Sequence, residues 1–321
     1  MVEKKNFETV ALMWLTEKEH LVKRSTYSAY YLLLSNHLIP FFGPECDIIE
    51  PMVQNFVFKK LDEGLSQKYV KDILVVMNMV LKYGSKNGYM EYHKIDVKYP
   101  TERERKEVEV LSLGDQQSVM SYLKSNLDNM NIGIYICLCA GLRIGEICAL
   151  KWSDIDLNYG VIRVSKTIQR IYVPDASERH TEVIIDAAKT INSIRSIPIA
   201  ADLRKMLKPL KKSSQDSHYV LTESSDPIEP RAYRNYYNRL MNRLGLPKLK
   251  FHGLRHSFAT RCIESQCDYK TVSVLLGHSN ISTTLKLYVH PNMEQKQRCV
   301  DQMFKSITYT SPHSTSRTPR K

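Results

Sequence analysis

The sequence has no run of about 18 apolar residues, so it offers no membrane-spanning helix. It shows neither a signal peptide nor a transit peptide. Its seven cysteines are odd in number, and no two of them, Cys137 and Cys139 included, have the two-residue spacing of a zinc knuckle. Reduced thiols in a cytoplasmic protein are the expectation, with no metal site. No glycine-rich phosphate loop occurs among the 12 glycines, so nothing points to ATP. Neither a metal nor a nucleotide cofactor is expected.

Positive charge, by contrast, is plentiful. The 321 residues carry 46 Lys and Arg against 34 Asp and Glu, a formal net charge of +12. The excess is uneven. Residues 1–100 hold 13 basic and 12 acidic side chains, and the remainder 33 and 22. The later segment is therefore the one suited to a polyanion such as the DNA backbone, although solubility or an acidic lipid surface would also account for basic charge. For the first hundred residues to touch DNA as well, their basic groups must gather on one face. Lys23, Arg24, Lys59, Lys60, Lys68 and Lys71 are the candidates, and each alone reads equally well as solvated helix surface.

The apolar pattern is helical from the start. Phe7, Val10, Ala11, Trp14 and Leu15 follow the i, i+3, i+4, i+7, i+8 spacing, and Val70, Ile73, Leu74, Met77 and Leu81 repeat it. Two more helices are expected near 24–38 and 50–63, punctuated by Gly43-Pro44 and Gly64. This gives a helical module over 1–98. The charged stretch YPTERERKEVEV reads as a linker over 99–110, and Ser112 with Asp115 then offers a capping box. A second domain over 111–305 is expected to be mainly α with a small antiparallel β-sheet between about 160 and 200. VIRV, TIQRIYV and IRSIPI supply its strands, and residues 174–180 form an exposed loop. Met293, Cys299, Val300, Met303 and Phe304 give a late helix a partial apolar face, and the polar stretch over 306–321 is expected to be disordered.

Three segments carry chemistry. GLRIGEICALKW holds Arg143 and Glu146, FHGLRHSFAT holds His252 and Arg255, and LLGHSNISTTLKLYVH holds His278 and Tyr288. A phenol, imidazoles and arginines in this arrangement suit covalent attack on a phosphodiester without a metal. Such a reaction needs a nucleophile, neutralised phosphoryl charge and a protonated leaving oxygen. Tyrosine's ordinary pKa is about 10, so it needs a cationic pocket or a base to attack well. Arg143 opens an apolar helical stretch, and its guanidinium is suited to fork onto two phosphate oxygens, with Arg255 as the second clamp. His252 and Arg255 are three apart and share a helix face. Tyr288 is one of 19 tyrosines and stands out only through its place after Leu-Leu-Gly-His. His180, His256 and His290 read as structural by default.

The three segments together resemble the tyrosine recombinase (phage integrase) family, over about the C-terminal two thirds of the chain. That resemblance implies a core-binding (SAM-like) helical domain before a mixed α/β catalytic domain, the pair forming a clamp on DNA. It implies that Tyr288 is the nucleophile, that His252 handles a proton and that His278 donates a hydrogen bond to the phosphate. A lysine on a β-hairpin turn acts as general acid in the family. Lys189, in a Lys-Thr pair shortly before Arg195, Ile197 and Pro198, matches it, with Lys166 as the competitor. Glu146 stands where the family has an acidic residue and is read as orienting an arginine.

The implied function is site-specific recombination through a 3′-phosphotyrosyl intermediate, on duplex DNA with specific sites. Integration, excision, inversion and dimer resolution are all compatible with it, as is help from DNA-bending or directionality factors. The implied assembly is a homotetramer on synapsed DNA, acting in the cytoplasm beside the nucleoid, with the last helix docking either in cis or on a neighbouring protomer. Because the helical module begins almost at once, a compact form without an N-terminal arm-binding domain is expected. A type IB topoisomerase uses a similar constellation, and a non-catalytic DNA-binding descendant is the third possibility.

Overall fold

The computed structural model describes residues 4–101, 109–174, 180–187, 193–288 and 293–308, with side chains throughout except at 286–288, 294, 295 and 308. The N-terminal part contains helices α1 (Phe7–Leu21), α2 (Arg24–Leu33), α3 (Ile39–Phe42), α4 (Glu50–Asp62) and α5 (Gln67–Lys86). Asn6 caps α1 by accepting from Thr9 N at 3.0 Å, and Ser66 caps α5 by accepting from Tyr69 N at 3.2 Å. Each cap satisfies a donor that a first helical turn leaves unpaired. The two apolar stripes seen in the sequence are buried, and they meet Phe42, Val53 and Phe56 in one core.

The helix expected to stop near 38 continues to Phe42. Pro40 has no N–H to give, and its ring crowds the carbonyl four residues back. The turn Leu34–Leu38 is wound as a π-helix, with Ile39 N bonded to Leu34 O, and this local change of winding accommodates the proline. The chain after α5 is extended and stays tied to the same core. Gln54 accepts from Lys98 N and donates to Lys98 O, Gln67 donates to Pro100 O, and Tyr99 packs against the core. Residues 99 and 100, at the start of the expected linker, are thus in contact with the helical module, and 102–108 lie outside the described residues.

A second core is built around α7 (Asn129–Ala140). Its sequence is apolar on every side, and a helix of that kind is stable only when surrounded. Ile132, Ile134, Ile136, Cys137 and Leu138 are all buried. Around it lie α6 (Leu113–Ser125), α8 (Ile144–Cys148), α9 (Ala201–Lys212), α10 (Pro230–Arg243) and α11 (His252–Glu264). Then follow α12 (Tyr269–Leu276), α13 (Ile281–Tyr288) and α14 (Met293–Thr308). Ser112 caps α6 through Asp115 N at 3.0 Å. Helix α14 runs three residues into the stretch expected to be disordered, and 309–321 lie outside the described residues.

The strands are β1 (Ile155–Asp156), β2 (Val161–Val164), β3 (Lys166–Tyr172), β4 (Thr181–Ala187) and β5 (Arg195–Pro198). One antiparallel sheet has the order β1-β2-β5, and β3 with β4 forms a separate hairpin. The sequence pattern pointed to β2, β3 and β5 only. In β4 the apolar residues Val183, Ile184 and Ile185 are consecutive and only Ile184 is buried, so the period-two signal is missing. The hairpin reaches back to the N-terminal module. Tyr172 stacks on Tyr31 at 5.5 Å, its N–H donates to Ser28 Oγ at 2.9 Å, and Arg24 pairs with Glu182 at 2.5 Å. Among the described residues, no helix is long and apolar enough to cross a membrane.

Helix α7 ends on Gly141, whose φ of 64° is left-handed. A Cβ there would sit 2.6 Å from Phe258 Cδ1 and 3.0 Å from Leu276 Cδ2, on α11 and α12. Gly141→Ala is therefore both strained and overpacked, and it is expected to cost about 2–4 kcal/mol. The measurement is urea unfolding, with a lower midpoint at unchanged slope. An unshifted midpoint would show that α11 and α12 are free to move away from α7.

Candidate active site

Two residues beyond Gly141, Arg143 is the N-cap of α8. Glu146 folds back over it, accepting from Arg143 N and from Arg143 Nη1, both at 2.8 Å. The same carboxylate accepts from Arg195 Nη1 at 3.0 Å and Nη2 at 2.9 Å. Arg195 sits at an inward position of β5, and its Nε donates to Leu275 O at 2.7 Å. Side-chain exposure separates the three: 38% for Arg143, 6% for Glu146 and 4% for Arg195. Arg143 is thus the member of the group that faces solvent. Burial alone would raise the Glu146 pKa, but the bonds and charge of Arg195, then of Arg143, outweigh it and hold the carboxyl at about 2.

Arg255, on α11, is 2% exposed. Its Nη1 donates to Gly141 O at 2.8 Å and its Nη2 to Leu276 O at 2.5 Å. Both carbonyls lie at helix C-termini, which leave such groups without intrahelical partners. One guanidinium therefore joins the end of α7, the body of α11 and the end of α12. Gly277 then turns the chain with φ 65°, and His278 follows. His278 Nδ1 lies 2.9 Å from Thr284 Oγ1, on α13. Tyr288 closes α13 one turn beyond Thr284, and its side chain lies outside those described.

His252 opens α11, with its ring edge-on to His256 at 4.6 Å. Burial lowers the His252 pKa, and Arg255 and Arg143 lower it further. His278 is brought to about 4 by burial and then by Arg255, Arg143, Arg195 and His252. His256 is brought to about 4 by burial, His252 and Arg255. His256 and His278 are therefore neutral at pH 7, inside a cluster of arginines. A cleft of about 460 Å³ opens beside them, lined by Arg143, Glu146, Lys166, Gln169, Ser193 and His252 among others.

The structure thus brings together Arg143, Glu146, His252, Arg255 and His278 of the residues singled out in the sequence. Lys189 and His290 lie outside the described residues. Lys166 is exposed at the cleft's edge and pairs with Ala187 across the hairpin. Arg195 and Thr284 were not singled out as site residues. An arginine at an inward strand position beside Ile197 is the signal that marks Arg195, and Thr284 has no comparable mark in the sequence. His180 stacks on Tyr172 in the hairpin.

The basic candidates of the N-terminal module mostly have partners in the chain. Lys23 donates to Ala187 O at 3.4 Å, Arg24 pairs with Glu182, and Lys60 pairs with Glu63 at 2.7 Å. Lys59 lies over Phe41 and Lys71 over Tyr99, while Lys68 is exposed.

The pairing of Glu146 sets a pH signature. A carboxyl held below its unfolded value stabilises the fold above about pH 4.5 and loses that contribution as pH falls toward about 2. Glu146→Gln leaves Arg195 buried without its counter-charge and is expected to cost about 3–5 kcal/mol at pH 7. The gap in unfolding free energy between the two proteins should shrink as pH drops below 4.5. A gap that stays constant down to pH 2 would show that the carboxylate charge is not what holds the cluster.

Known proteins resemble this chain in sequence and in fold. The profile of the phage integrase family matches residues 110–295, and that of the phage integrase N-terminal SAM-like domain matches residues 6–44. A tyrosine recombinase XerC-like protein of Caldanaerobacter subterraneus is 29% identical over 314 residues, covering 90% of this chain and 80% of the relative. The fold is that of the Tn1549 transposon integrase solved with transposon right-end DNA, at a TM-score of 0.76 and 18% identity, covering 94% of this chain and all of that one. A lambda integrase tetramer bound to a Holliday junction superposes with a TM-score of 0.64 and 17% identity, over 89% of this chain and 78% of that one. With the family profile spanning more than half its length, the chain belongs to the phage integrase family, and it is a tyrosine recombinase, an enzyme that breaks and rejoins DNA at specific sites.

Proposed function

We propose that this recombinase uses Tyr288 as its nucleophile. The phenol oxygen attacks the scissile phosphorus, the bond to the 5′ oxygen breaks, and a 3′-phosphotyrosyl link forms. The released 5′ hydroxyl then attacks the corresponding link on a partner strand, so bond energy passes from one phosphodiester to the next. The observation that carries this reading is the convergence of Arg143, His252, Arg255 and His278, from separate segments of the chain, on one place. Arg143, partly open to solvent, binds the phosphate oxygens, and buried Arg255 adds fixed positive charge beside them. His252 handles the proton of the tyrosine. Thr284 holds His278 Nδ1, which leaves Nε2 as the donor to the phosphate.

Lys189 is the proposed general acid for the 5′ oxygen. Its support is in its neighbours: Ala187 pairs with Lys166 at the cleft's edge, and Ser193 lines the cleft. The N-terminal helices act as the core-binding domain and residues 111–305 as the catalytic domain, closing on a duplex that carries specific sites. Lys23, Arg24, Lys59, Lys60, Lys68 and Lys71 are its proposed backbone contacts. The working assembly is a homotetramer on synapsed DNA, in the cytoplasm, with DNA-bending or directionality factors setting the outcome. The lambda integrase tetramer supports this, as does α14, which leaves Val300, Phe304 and Ile307 exposed for a neighbouring protomer.

On a nicked duplex carrying the target site, the wild-type chain is expected to give an SDS-resistant adduct. Tyr288→Phe should bind the same duplex with no adduct, and a surviving adduct would move the nucleophile elsewhere. Arg143→Ala should slow adduct formation by roughly 10²–10³. Lys189→Ala should be slow on ordinary DNA and recover on a substrate with a 5′-sulfur leaving group, which needs no proton. Recovery by Lys166→Ala instead would reassign the acid.

A further inference from the structure

Glu223 and Gln266 are the non-glycine residues with positive φ among those described, and Gln266, at 65°, follows the C-cap of α11. Around it Cys267 N donates to Cys262 O at 3.0 Å, and Gln266 N donates to Ile263 O at 2.9 Å. These two bonds define a Schellman motif, which satisfies the last carbonyls of a helix. The motif also sets the side chain two residues past the cap against one in the last turn, usually through an apolar contact. Both of those positions here are cysteines. The Cys267 thiol lies near enough to the Cys262 thiol to help raise its pKa. Cys262 is half-buried beside Phe258, Ala259, Val272 and Leu276, while Cys267 is exposed.

We propose that Cys262 and Cys267 form a thiol–disulfide site, which a small-molecule disulfide converts into an intramolecular bridge at the elbow between α11 and α12. The Schellman backbone already holds the two residues together, so closure requires side-chain rotation and no unwinding of the helix. The Cys267 thiolate attacks one sulfur of the reagent, giving a mixed disulfide and releasing one thiol. Cys262 then loses its proton and attacks Cys267 Sγ, releasing the second thiol. Two protein thiols are oxidised and one external disulfide is reduced.

Geometry sets the order of attack. Cys267 faces solvent, whereas burial, aided by Cys267, pushes the Cys262 thiol up to about 11. Directly after Cys267, Asp268 caps α12 by accepting from Thr271 N at 2.9 Å. The bridge would therefore staple the turn from which α11 carries His252 and Arg255 and α12 leads to His278. In a reducing compartment such a bridge is transient and reports redox state rather than serving as a permanent brace.

The test uses the full chain with the exposed Cys46 and Cys299 replaced by serine, treated with oxidised glutathione at pH 8. The expected product has lost two hydrogens and carries no glutathione. Digestion after Glu264 without reductant should leave the two flanking peptides joined. With Cys262→Ser added, one glutathione should stay on Cys267. With Cys267→Ser, Cys262 should remain unmodified in the folded protein. A glutathione adduct that persists on Cys267 while Cys262 is present would overturn the proposal, as would a bridge from either residue to another cysteine.

Discussion

The candidate site rests on one buried guanidinium. An arginine at 2% exposure is costly to desolvate unless its charge and donors are met. Arg255 meets two of them with the carbonyls of Gly141 and Leu276, which would otherwise be unpaired helix ends. Each side of the bond solves the other's problem. The consequence is positional. Arg143 lies two residues after Gly141 and His278 two after Leu276, so the groups proposed to touch phosphate hang from the backbone atoms that Arg255 holds. Gly141 is part of the same constraint, because only without a Cβ can α11 and α12 approach the end of α7 this closely.

Charge explains why a carboxylate belongs in a site meant for an anion. Arg143, Arg195 and Arg255 act together on His278, and gathering so much positive charge is unfavourable before DNA arrives. Glu146 offsets part of it, accepting from both ends of the Arg195 guanidinium and from the backbone N and Nη1 of Arg143. Arg195 in turn caps Leu275 O, just as Arg255 caps Leu276 O, so the end of α12 is held by two arginines from different elements. The histidines respond to the field that remains. Burial and the arginines favour their neutral forms, which are the forms able to accept a proton or to present a single N–H.

Much of this was legible in the sequence, for identifiable reasons. The stripe through Trp14 and the stripe through Met77 were visible because helical burial repeats every three to four residues, and both are buried as the pattern required. Arg143 as a helix opener followed from the apolar stretch after it, and Glu146 as a partner of an arginine from the family resemblance together with its spacing of three. The π-turn before Pro40 and strand β4 were not legible, since neither leaves a periodic trace. Arg255 was legible as a cation but not as a tie between helices. Its partners are the carbonyls of Gly141 and Leu276, and a carbonyl has no signature in a sequence. Glu146 and Arg195 meet across 49 residues for the same reason: only the folded sheet makes them neighbours.

The two modules are joined quite differently from the site itself. Inside the second core the ties are buried charge and helix ends. Between the modules they include an aromatic stack, a backbone bond to Ser28 Oγ, a bond from Lys23 to Ala187 O and an ion pair whose partners are 60% and 50% exposed. Exposed pairs of that kind contribute little, because water and salt screen them and two long side chains must be ordered. The contacts of Arg24 with Glu182 and of Lys23 with a carbonyl are exposed and weakly held, whereas those of Arg255 are buried. An enzyme that breaks and rejoins DNA gains from that division, since the proposed reacting groups stay in register whatever happens between the modules. The ion pair between the modules is solvent-exposed, whereas Arg143 and His278 follow closely on the ends of buried helices.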